Sequence, residues 1–189
     1  PGAARADGTG IPNRRRVTAK AADEERRRLV RACHEAAVPV ATHDDETTDA
    51  VDIMADLDVA ISEFPVTKQA ARRATAKGLV TAMGAPNLVR GGSLWGNLSA
   101  ADAIRSGLVD VLCSDYHPPS LLAAVFVDTG EPLPERVARV TAAPATAVGL
   151  ENRGRIEQGT RADLIVVDAG PPPRVRRAFV SGEEVYRAA

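Results

Sequence analysis

The amino-acid sequence predicts an α/β fold in which parallel strands alternate with helices, followed by a small β-appendage. Three observations support this prediction. Short apolar runs alternate four times with stretches of helical periodicity between residues 23 and 148. Each apolar run ends in polar residues that can do chemistry. After Gly149 the pattern changes to short β segments separated by tight turns, which predicts an appendage over 149–189.

Composition excludes several classes of protein. The 189 residues carry 24 Lys and Arg against 25 Asp and Glu, so the net charge is -1 and no basic surplus favours nucleic acid. No apolar run approaches the roughly 18 residues that span a bilayer. The two cysteines lie far apart, which excludes a disulfide framework. We therefore expect a cytoplasmic protein with neither a nucleic-acid nor a membrane partner.

The chain begins with a segment that differs from the rest. Residues 1–22 are polar and rich in Gly, Arg and Pro, which is typical of a loop or a disordered segment. From Asp23 onward, Leu29, Val30 and Cys33 recur at helical spacing, which predicts an amphipathic first helix over 23–37. The predicted α/β domain therefore starts at residue 23.

The remaining elements follow from the same two periodicities. Apolar runs predict strands at 38–42, 59–61, 79–83 and 109–113. Helical spacing predicts helices at 46–57, 67–77, 99–106, 119–126 and 134–148. Gly78 follows its helix as a C-terminal stop, and Ser99 is placed to cap the next helix. In the tail, β segments are expected at 154–159, 162–168 and 177–186.

The polar residues cluster after the strands, where parallel strands bring them to one edge. His43, Asp44 and Asp45 follow the first strand, Glu63 the second, and Ser114, Asp115 and His117 the fourth. That edge carries the active site of a (β/α) barrel and the ligand crevice of an open α/β sheet. Polar clustering therefore predicts a functional site, whichever of the two architectures holds.

Each candidate also has a structural interpretation. A carboxylate directly after an apolar strand is expected to be buried and to need a cation, which makes Asp115 the best candidate. One of Asp44 and Asp45 is expected to cap the following helix. Glu63 is as well explained as a solvated loop carboxylate, and His117 as a loop residue. His43 alone would be a structural histidine, but the neighbouring carboxylates favour a ligand.

A long glycine-containing stretch, 84–97, follows the third strand and is predicted to be a loop. It contains Asn87, Arg90, Gly91-Gly92-Ser93 and Asn97. Successive backbone N–H groups in such a loop can cradle an anion, and Arg90 can clamp a phosphate by a fork of hydrogen bonds. The alternative is a connecting loop without a binding role, held in place by Trp95.

Several of these strings resemble a known family. They are Ala41-Thr-His-Asp-Asp45, Ser62-Glu-Phe-Pro65, Gly84-Ala-Pro-Asn-Leu-Val-Arg-Gly-Gly-Ser93, Gly96-Asn97 and Ser114-Asp-Tyr116. In this order they resemble the amidohydrolase-superfamily diphosphatases of the carbon–phosphorus lyase pathway. The tail from Pro144 to Leu164 resembles the C-terminal end of amidohydrolases in general. The resemblance covers about residues 22–186.

The resemblance implies a metal-dependent hydrolase of phosphonate degradation on a (β/α)8 TIM-type barrel, of which 23–148 would be the C-terminal half, strands five to eight. Such an enzyme would release pyrophosphate from ribose methylphosphonate triphosphate. The matching positions make His43 and Asp115 metal ligands, with Asp44 and Glu63 as further candidates. Asp115 is also the expected catalytic proton acceptor. The substrate-binding candidates are Asn87, Arg90, Gly91, Gly92, Ser93 and Asn97. Zn, Mn and Fe all suit these donors.

The sequence departs from the family pattern in four places. The superfamily's early His-x-His pair and its bridging ligand on the fourth strand have no counterpart here. Leu94 and Trp95 stand where the family's glycine loop has His and Ser, and a histidine expected on the sixth strand is absent. We therefore expect an incomplete chain that needs an N-terminal half-barrel, or else a homo-oligomer. The alternatives are an amidohydrolase with another substrate, as a deacylase or cyclic amide hydrolase, and a non-catalytic remnant that binds a phosphorylated ligand.

Overall fold

The computed structural model describes residues 18–189, so most of the predicted 1–22 segment lies outside the described residues. The first helix, α1, spans Ala19–Glu35 and begins four residues before its predicted start. Thr18 explains the difference, because its hydroxyl accepts the Ala21 N–H at 3.2 Å and caps the helix. Only part of the predicted apolar stripe is buried: Val30 is, whereas Leu29 is exposed.

Four parallel strands and their crossover helices form the main layer. The strands are β1 Ala41–His43, β2 Ile61–Glu63, β3 Val80–Gly84 and β4 Val111–Cys113. The helices after α1 are α2 Thr48–Ala55, α3 Lys68–Ala76, α4 Ala85–Arg90, α5 Ala100–Arg105, α6 Pro119–Val125, α7 Leu133–Ala138 and α8 Ala142–Ala147. None of the helices between residues 18 and 189 is long and apolar enough to cross a bilayer. The predicted α/β class with a parallel sheet is confirmed.

The strands lie in the order β1-β2-β3-β4, and all three pairings are parallel. Sequential order is what successive βα units produce when they wind in one direction, as in a barrel. A doubly wound sheet would instead reverse its strand order at a switch point. Of the two predicted architectures, the strand order thus favours the barrel over the open α/β sheet.

The two faces of the parallel sheet differ in what covers them. Met83 and Leu112 are register partners and pack into a cluster with residues of α3, α4, α5 and α6, so they face the helices. The register places His43, Glu63 and Cys113 on the opposite face, because side chains alternate along a strand. The candidate residues therefore lie away from the main core.

Threonines cap the helices that follow β1 and β2, although an aspartate was predicted to cap the first of them. Thr47 accepts the Ala50 N–H and Thr67 accepts the Ala70 N–H, each at 3.1 Å. The expectation that Asp44 or Asp45 caps α2 was wrong, since the helix begins two residues further on. Gly78 has φ +81 and ends the α3 segment as predicted.

Two predicted elements are divided differently in the structure. The predicted loop 84–97 begins with α4, because Pro86 suits a first helical turn and Gly91, at φ 86, ends it. The predicted helix 134–148 is two helices, α7 and α8. Pro144 explains the break, since it lacks an N–H and clashes with the carbonyl four residues earlier, so the helix restarts at Ala142.

The tail forms a three-stranded antiparallel sheet from β5 Leu164–Asp168, β6 Arg174–Val180 and β7 Glu183–Arg187. The β segment expected at 154–159 is wrong, because this stretch contains bends, a turn and irregular backbone but no strand. Gly154 shows why. Its φ is +85, and a Cβ there would lie 2.8 Å from the Thr141 carbonyl oxygen, so the chain makes a close turn against α8.

Arg139 covers part of the outer edge of β4. Its carbonyl accepts the Leu112 N–H at 3.0 Å, while its guanidinium donates to the Val109 carbonyl. The same guanidinium forms a mostly buried ion pair with Glu131. An edge strand with open N–H groups invites pairing with other chains, so this contact protects the edge.

The Glu131–Arg139 pair makes stability depend on pH. Burial raises the pKa of Glu131, but the hydrogen bond and charge of Arg139 outweigh it and hold the pKa below the ordinary 4.5. A carboxyl whose pKa is lower in the folded than in the unfolded protein contributes its full stabilisation above the unfolded pKa. This stabilisation is lost as the pH falls through the folded pKa. Glu131→Gln should therefore be less stable than the parent at neutral pH. Urea unfolding should show the difference shrinking once pH falls below about 4.5; a constant difference would contradict the assignment.

Candidate active site

A cleft of about 290 Å³ opens beyond the C-terminal ends of the parallel strands. It collects residues that end or follow all four parallel strands, as the polar clustering predicted. Its lining includes His43, Asp44, Phe64, Asn87, Arg90, Ser93, Leu94, Trp95, Asn97, Asp115 and Tyr116. The sequence candidates Glu63, Gly91 and Gly92 are not part of this lining.

His43 ends β1 and is oriented by its two neighbours. Its Nδ1 lies 3.1 Å from the Asp44 Oδ2, and its ring meets the Phe64 ring edge-on at 5.2 Å between centroids. A carboxylate at one imidazole nitrogen fixes the ring and increases the basicity of the other nitrogen, as in many metal sites. With 60% of the His43 side chain exposed, Nε2 is the nitrogen left for a ligand.

Asp115 reaches the cleft from the other side, above the end of β3. Its Oδ2 lies 3.4 Å from where a Cβ on Gly84 would be, so the carboxylate approaches the backbone at the end of β3 to van der Waals contact. The same Cβ position lies 3.6 Å from a ring carbon of Phe64. Phe64 therefore contacts the histidine and also lies close to the Gly84 backbone that Asp115 approaches.

The backbone turns sharply after three of the four strands. Asp44, Phe64 and Asp115 have φ values of 58, 55 and 50, in the left-handed region that residues other than glycine rarely adopt. Such strain costs of order 1 kcal/mol per residue and is concentrated at functional sites. Here it turns the chain at the end of each strand, where the cleft lies.

One expectation about Asp115 was wrong. The sequence argument took it to be buried after an apolar strand, but it is exposed, because it lies in the turn that follows β4. Within the same residues, no three His, Cys, Asp or Glu side chains lie close enough together to form a metal site. The structure thus brings His43, Asp44 and Asp115 to one cleft without assembling a complete ligand set.

Glu63 points to a different neighbour. Its carboxylate lies 4.0 Å from the Cys113 Sγ, across the face of the sheet. Burial raises the pKa of the Cys113 thiol to about 11, and the Glu63 and Asp115 carboxylates add to the shift. The thiol is therefore protonated at neutral pH. Glu63 as a metal ligand stays a prediction.

Asp45 has a structural environment that its neighbour Asp44 lacks. It is buried and accepts hydrogen bonds from the Thr42 hydroxyl at 2.6 Å and the Ser62 hydroxyl at 2.5 Å. Its carbonyl also accepts the Val66 N–H at 3.0 Å. Sequence analysis did not foresee this network, which ties the ends of β1 and β2 together and so holds His43 in place.

The loop after α4 is anchored by Asn87. Its Nδ2 donates to the Leu98 carbonyl at 3.0 Å, and its Oδ1 accepts the Ala100 N–H at 2.9 Å. The N–H groups of Gly91 and Gly92 bond to carbonyls of α4, so these two N–H groups do not form the anion cradle considered above. Substrate binding by Asn87, Gly91, Gly92, Ser93 and Asn97 stays a prediction.

Arg90 extends from the end of α4 along the cleft. Its guanidinium donates to the Tyr116 hydroxyl at 2.8 Å and to the Gly92 carbonyl at 3.0 Å. A guanidinium has five N–H donors, so several remain for an anion. Tyr116 was not singled out as a binding residue from the sequence; its position one residue after Asp115 was the available signal.

No family model matches the chain. The chain is 39% identical over 155 residues to the alpha-D-ribose 1-methylphosphonate 5-triphosphate diphosphatase of Escherichia coli strain K12. That alignment covers 79% of this chain and 41% of the diphosphatase. The chain therefore spans about two fifths of the length of the curated relative that it matches.

Solved structures show where the fold occurs. An amidohydrolase from Thermotoga maritima MSB8 superposes with a TM-score of 0.63 at 21% identity, covering 79% of this chain and 44% of its own. The ochratoxinase of A. niger superposes with a TM-score of 0.63 at 16% identity, and the match covers 88% of this chain and 46% of the ochratoxinase. The N-acetylglucosamine-6-phosphate deacetylase of Pasteurella multocida superposes with a TM-score of 0.62 at 14% identity, and the match covers 84% of this chain and 53% of the deacetylase. At these identities the likeness concerns the fold, again over about half of each structure.

Proposed function

We propose that this chain, a relative of the amidohydrolase-superfamily hydrolases, is the C-terminal part of a metal-dependent diphosphatase of phosphonate degradation. The substrate would be ribose methylphosphonate triphosphate, and the products pyrophosphate and the ribose methylphosphonate monophosphate. One observation supports this above all. The cleft contains the imidazole of His43, the carboxylate of Asp115 and the guanidinium of Arg90, a group that commonly binds phosphate. The chain that carries them is similar to a protein whose name describes this reaction.

The parallel sheet would be half of a closed (β/α)8 barrel. Its sequential strand order supports this, as do the matches that cover about half of each solved structure. Ala41 and His43 are exposed at the β1 edge, where another strand would pair. The partner would be an N-terminal half-barrel; a homo-oligomer is the alternative, and it would lack a His-x-His pair. The expected cytoplasmic location stays a prediction.

The residues present fit part of a divalent metal site. The imidazole Nε2 of His43 and the carboxylate of Asp115 suit Zn, Mn or Fe, with Asp44 orienting the histidine. Because residues 18–189 supply no cluster of three such ligands, the remaining ligands would come from the partner half-barrel. When bound, a divalent ion polarises phosphoryl oxygens and makes water acidic enough to attack near neutral pH.

The side chains of this chain would do three things. Asp115 would accept the proton of the attacking water, which its exposed position in the cleft permits. Arg90 would bind the triphosphate through the donors that Tyr116 and Gly92 leave unused. The Asp44–His43 contact would keep the imidazole fixed during the reaction.

The deciding experiment compares the protein that contains both half-barrels with the 189-residue chain. The complete protein should release pyrophosphate from ribose methylphosphonate triphosphate only with a divalent metal, and the isolated chain should bind metal weakly and turn over slowly. A preference for N-acyl compounds in a substrate panel would favour the deacylase alternative. No bound Zn, Mn or Fe after gentle purification of the complete protein would favour the non-catalytic remnant.

Arg90 and Tyr116 should affect substrate binding more than the chemical step. Arg90→Lys keeps the charge but loses the fork of donors, so KM should rise by roughly tenfold or more. Tyr116→Phe removes only the hydroxyl that accepts from Arg90, and KM should rise a few-fold with kcat nearly unchanged. Steady-state kinetics of the complete enzyme measures both. A large fall in kcat at unchanged KM would contradict a binding role.

A further inference from the structure

Large apolar side chains surround the mouth of the cleft without packing into the protein. Trp95 is 85% exposed, and Leu94 and Tyr116 are each 63% exposed. All three line the same cleft as Arg90. An exposed tryptophan at a cleft is a large flat surface available to a ligand.

The loop that carries Trp95 is anchored on both sides. Gly91 and Gly92 bond back to α4, and Asn87 holds the Leu98 carbonyl. The Trp95 N–H donates to the Ser93 hydroxyl at 3.1 Å, which adds a bond inside the loop. The indole is therefore presented from a braced loop, five residues after the arginine.

The chemistry of the cleft indicates the ligand. The cleft of about 290 Å³ is open to solvent, because Arg90, Trp95 and Asp115 in its lining are exposed, so a ligand can extend beyond it. One part of the lining offers the unused donors of Arg90 for an anion, and another part offers the Trp95 indole. A ligand that satisfies both has phosphate groups at one end and a flat ring at the other.

We propose that Trp95 is a specificity-determining residue that stacks on the planar ring of a nucleoside triphosphate whose phosphates lie at Arg90. The phosphate end of this inference rests on the proposed function. The ring end rests on Trp95 and extends the site to triphosphates other than ribose methylphosphonate triphosphate, which carries no base. Stacking of a base on an aromatic side chain contributes enough to raise affinity about tenfold or more. The site would thus accept triphosphates that carry a heteroaromatic base.

Binding of ATP and of inorganic tripolyphosphate to the 189-residue chain tests this, by calorimetry at fixed ionic strength and metal concentration. The parent should bind ATP about tenfold more tightly than tripolyphosphate. Trp95→Ala should remove most of this preference and leave tripolyphosphate affinity unchanged, whereas Trp95→Phe should keep most of it. Trp95 is the single tryptophan of the chain, so ATP should quench its fluorescence and tripolyphosphate should not.

Three results would overturn the inference. They are equal affinity of the parent for the two ligands, equal weakening of both by Trp95→Ala, and tryptophan emission that responds to protein concentration but not to ATP. The last would mean that a second copy covers the indole. Failure here is separable from failure of the proposed function. ATP stacking without metal-dependent pyrophosphate release would reject the diphosphatase alone, and pyrophosphate release without a Trp95 effect would reject stacking alone.

Discussion

Asp115→Asn should lower kcat/KM for metal-dependent pyrophosphate release by roughly 10³-fold in the complete enzyme, since general-base catalysis contributes about 10²–10⁴-fold. The amide cannot accept the proton of the attacking water and is a poorer metal ligand than a carboxylate. Folding should not be affected. Asp115 is exposed and has φ 50, a conformation that asparagine tolerates as well as aspartate.

The measurement is initial-rate pyrophosphate release with saturating metal, together with the metal content of each variant. Asp56→Asn is the matched control, because Asp56 is an exposed carboxylate at the end of α2 and does not line the cleft. It should retain full activity. Activity of Asp115→Asn within a few-fold of the parent would remove Asp115 from the reaction and from the proposed metal site.

Asp45→Ala should reduce the free energy of unfolding by about 3 kcal/mol, one of the largest effects expected of a single substitution here. The buried carboxylate accepts from Thr42 and Ser62, and its removal leaves both hydroxyls without this acceptor in a site that excludes water. It also leaves a cavity between the ends of β1 and β2. Urea unfolding followed by circular dichroism measures the change.

The neighbouring carboxylate provides the comparison. Asp44→Asn removes a charge at an exposed position with φ 58, which asparagine accepts, so stability should change by no more than about 0.5 kcal/mol. Its effect should instead appear as weaker metal binding, because Asp44 orients His43. If both variants lost the same stability, the division between a structural and a site carboxylate would be wrong.

Local patterns predicted most of the parallel layer. Apolar runs placed β1 to β4 to within a few residues, since a buried strand needs a continuous apolar stretch and polar residues end it. Local chemistry also explains the helix boundaries that were predicted wrongly. Thr18, Thr47 and Pro144 set helix boundaries through single hydrogen bonds or clashes, which a search for periodicity does not detect.

The sequence predicted which residues belong to the site, but not which side chains contact one another there. That His43, Asp44, Arg90 and Asp115 lie at one cleft follows from strand polarity, which the sequence carries. That Glu63 approaches Cys113 instead, and that Asn87 braces a loop, depends on which side chains meet across the sheet.

The sequence by itself determined the alternation of strands and helices and the class of chemistry, because both depend on residues near one another in the chain. Only the tertiary structure decided which of two adjacent carboxylates is buried, what covers the β4 edge and where Trp95 is displayed. Those outcomes depend on contacts between segments distant in sequence, such as Asp45 with Ser62, Leu112 with Arg139 and Arg90 with Tyr116. No local pattern encodes such contacts, since each depends on how whole elements pack.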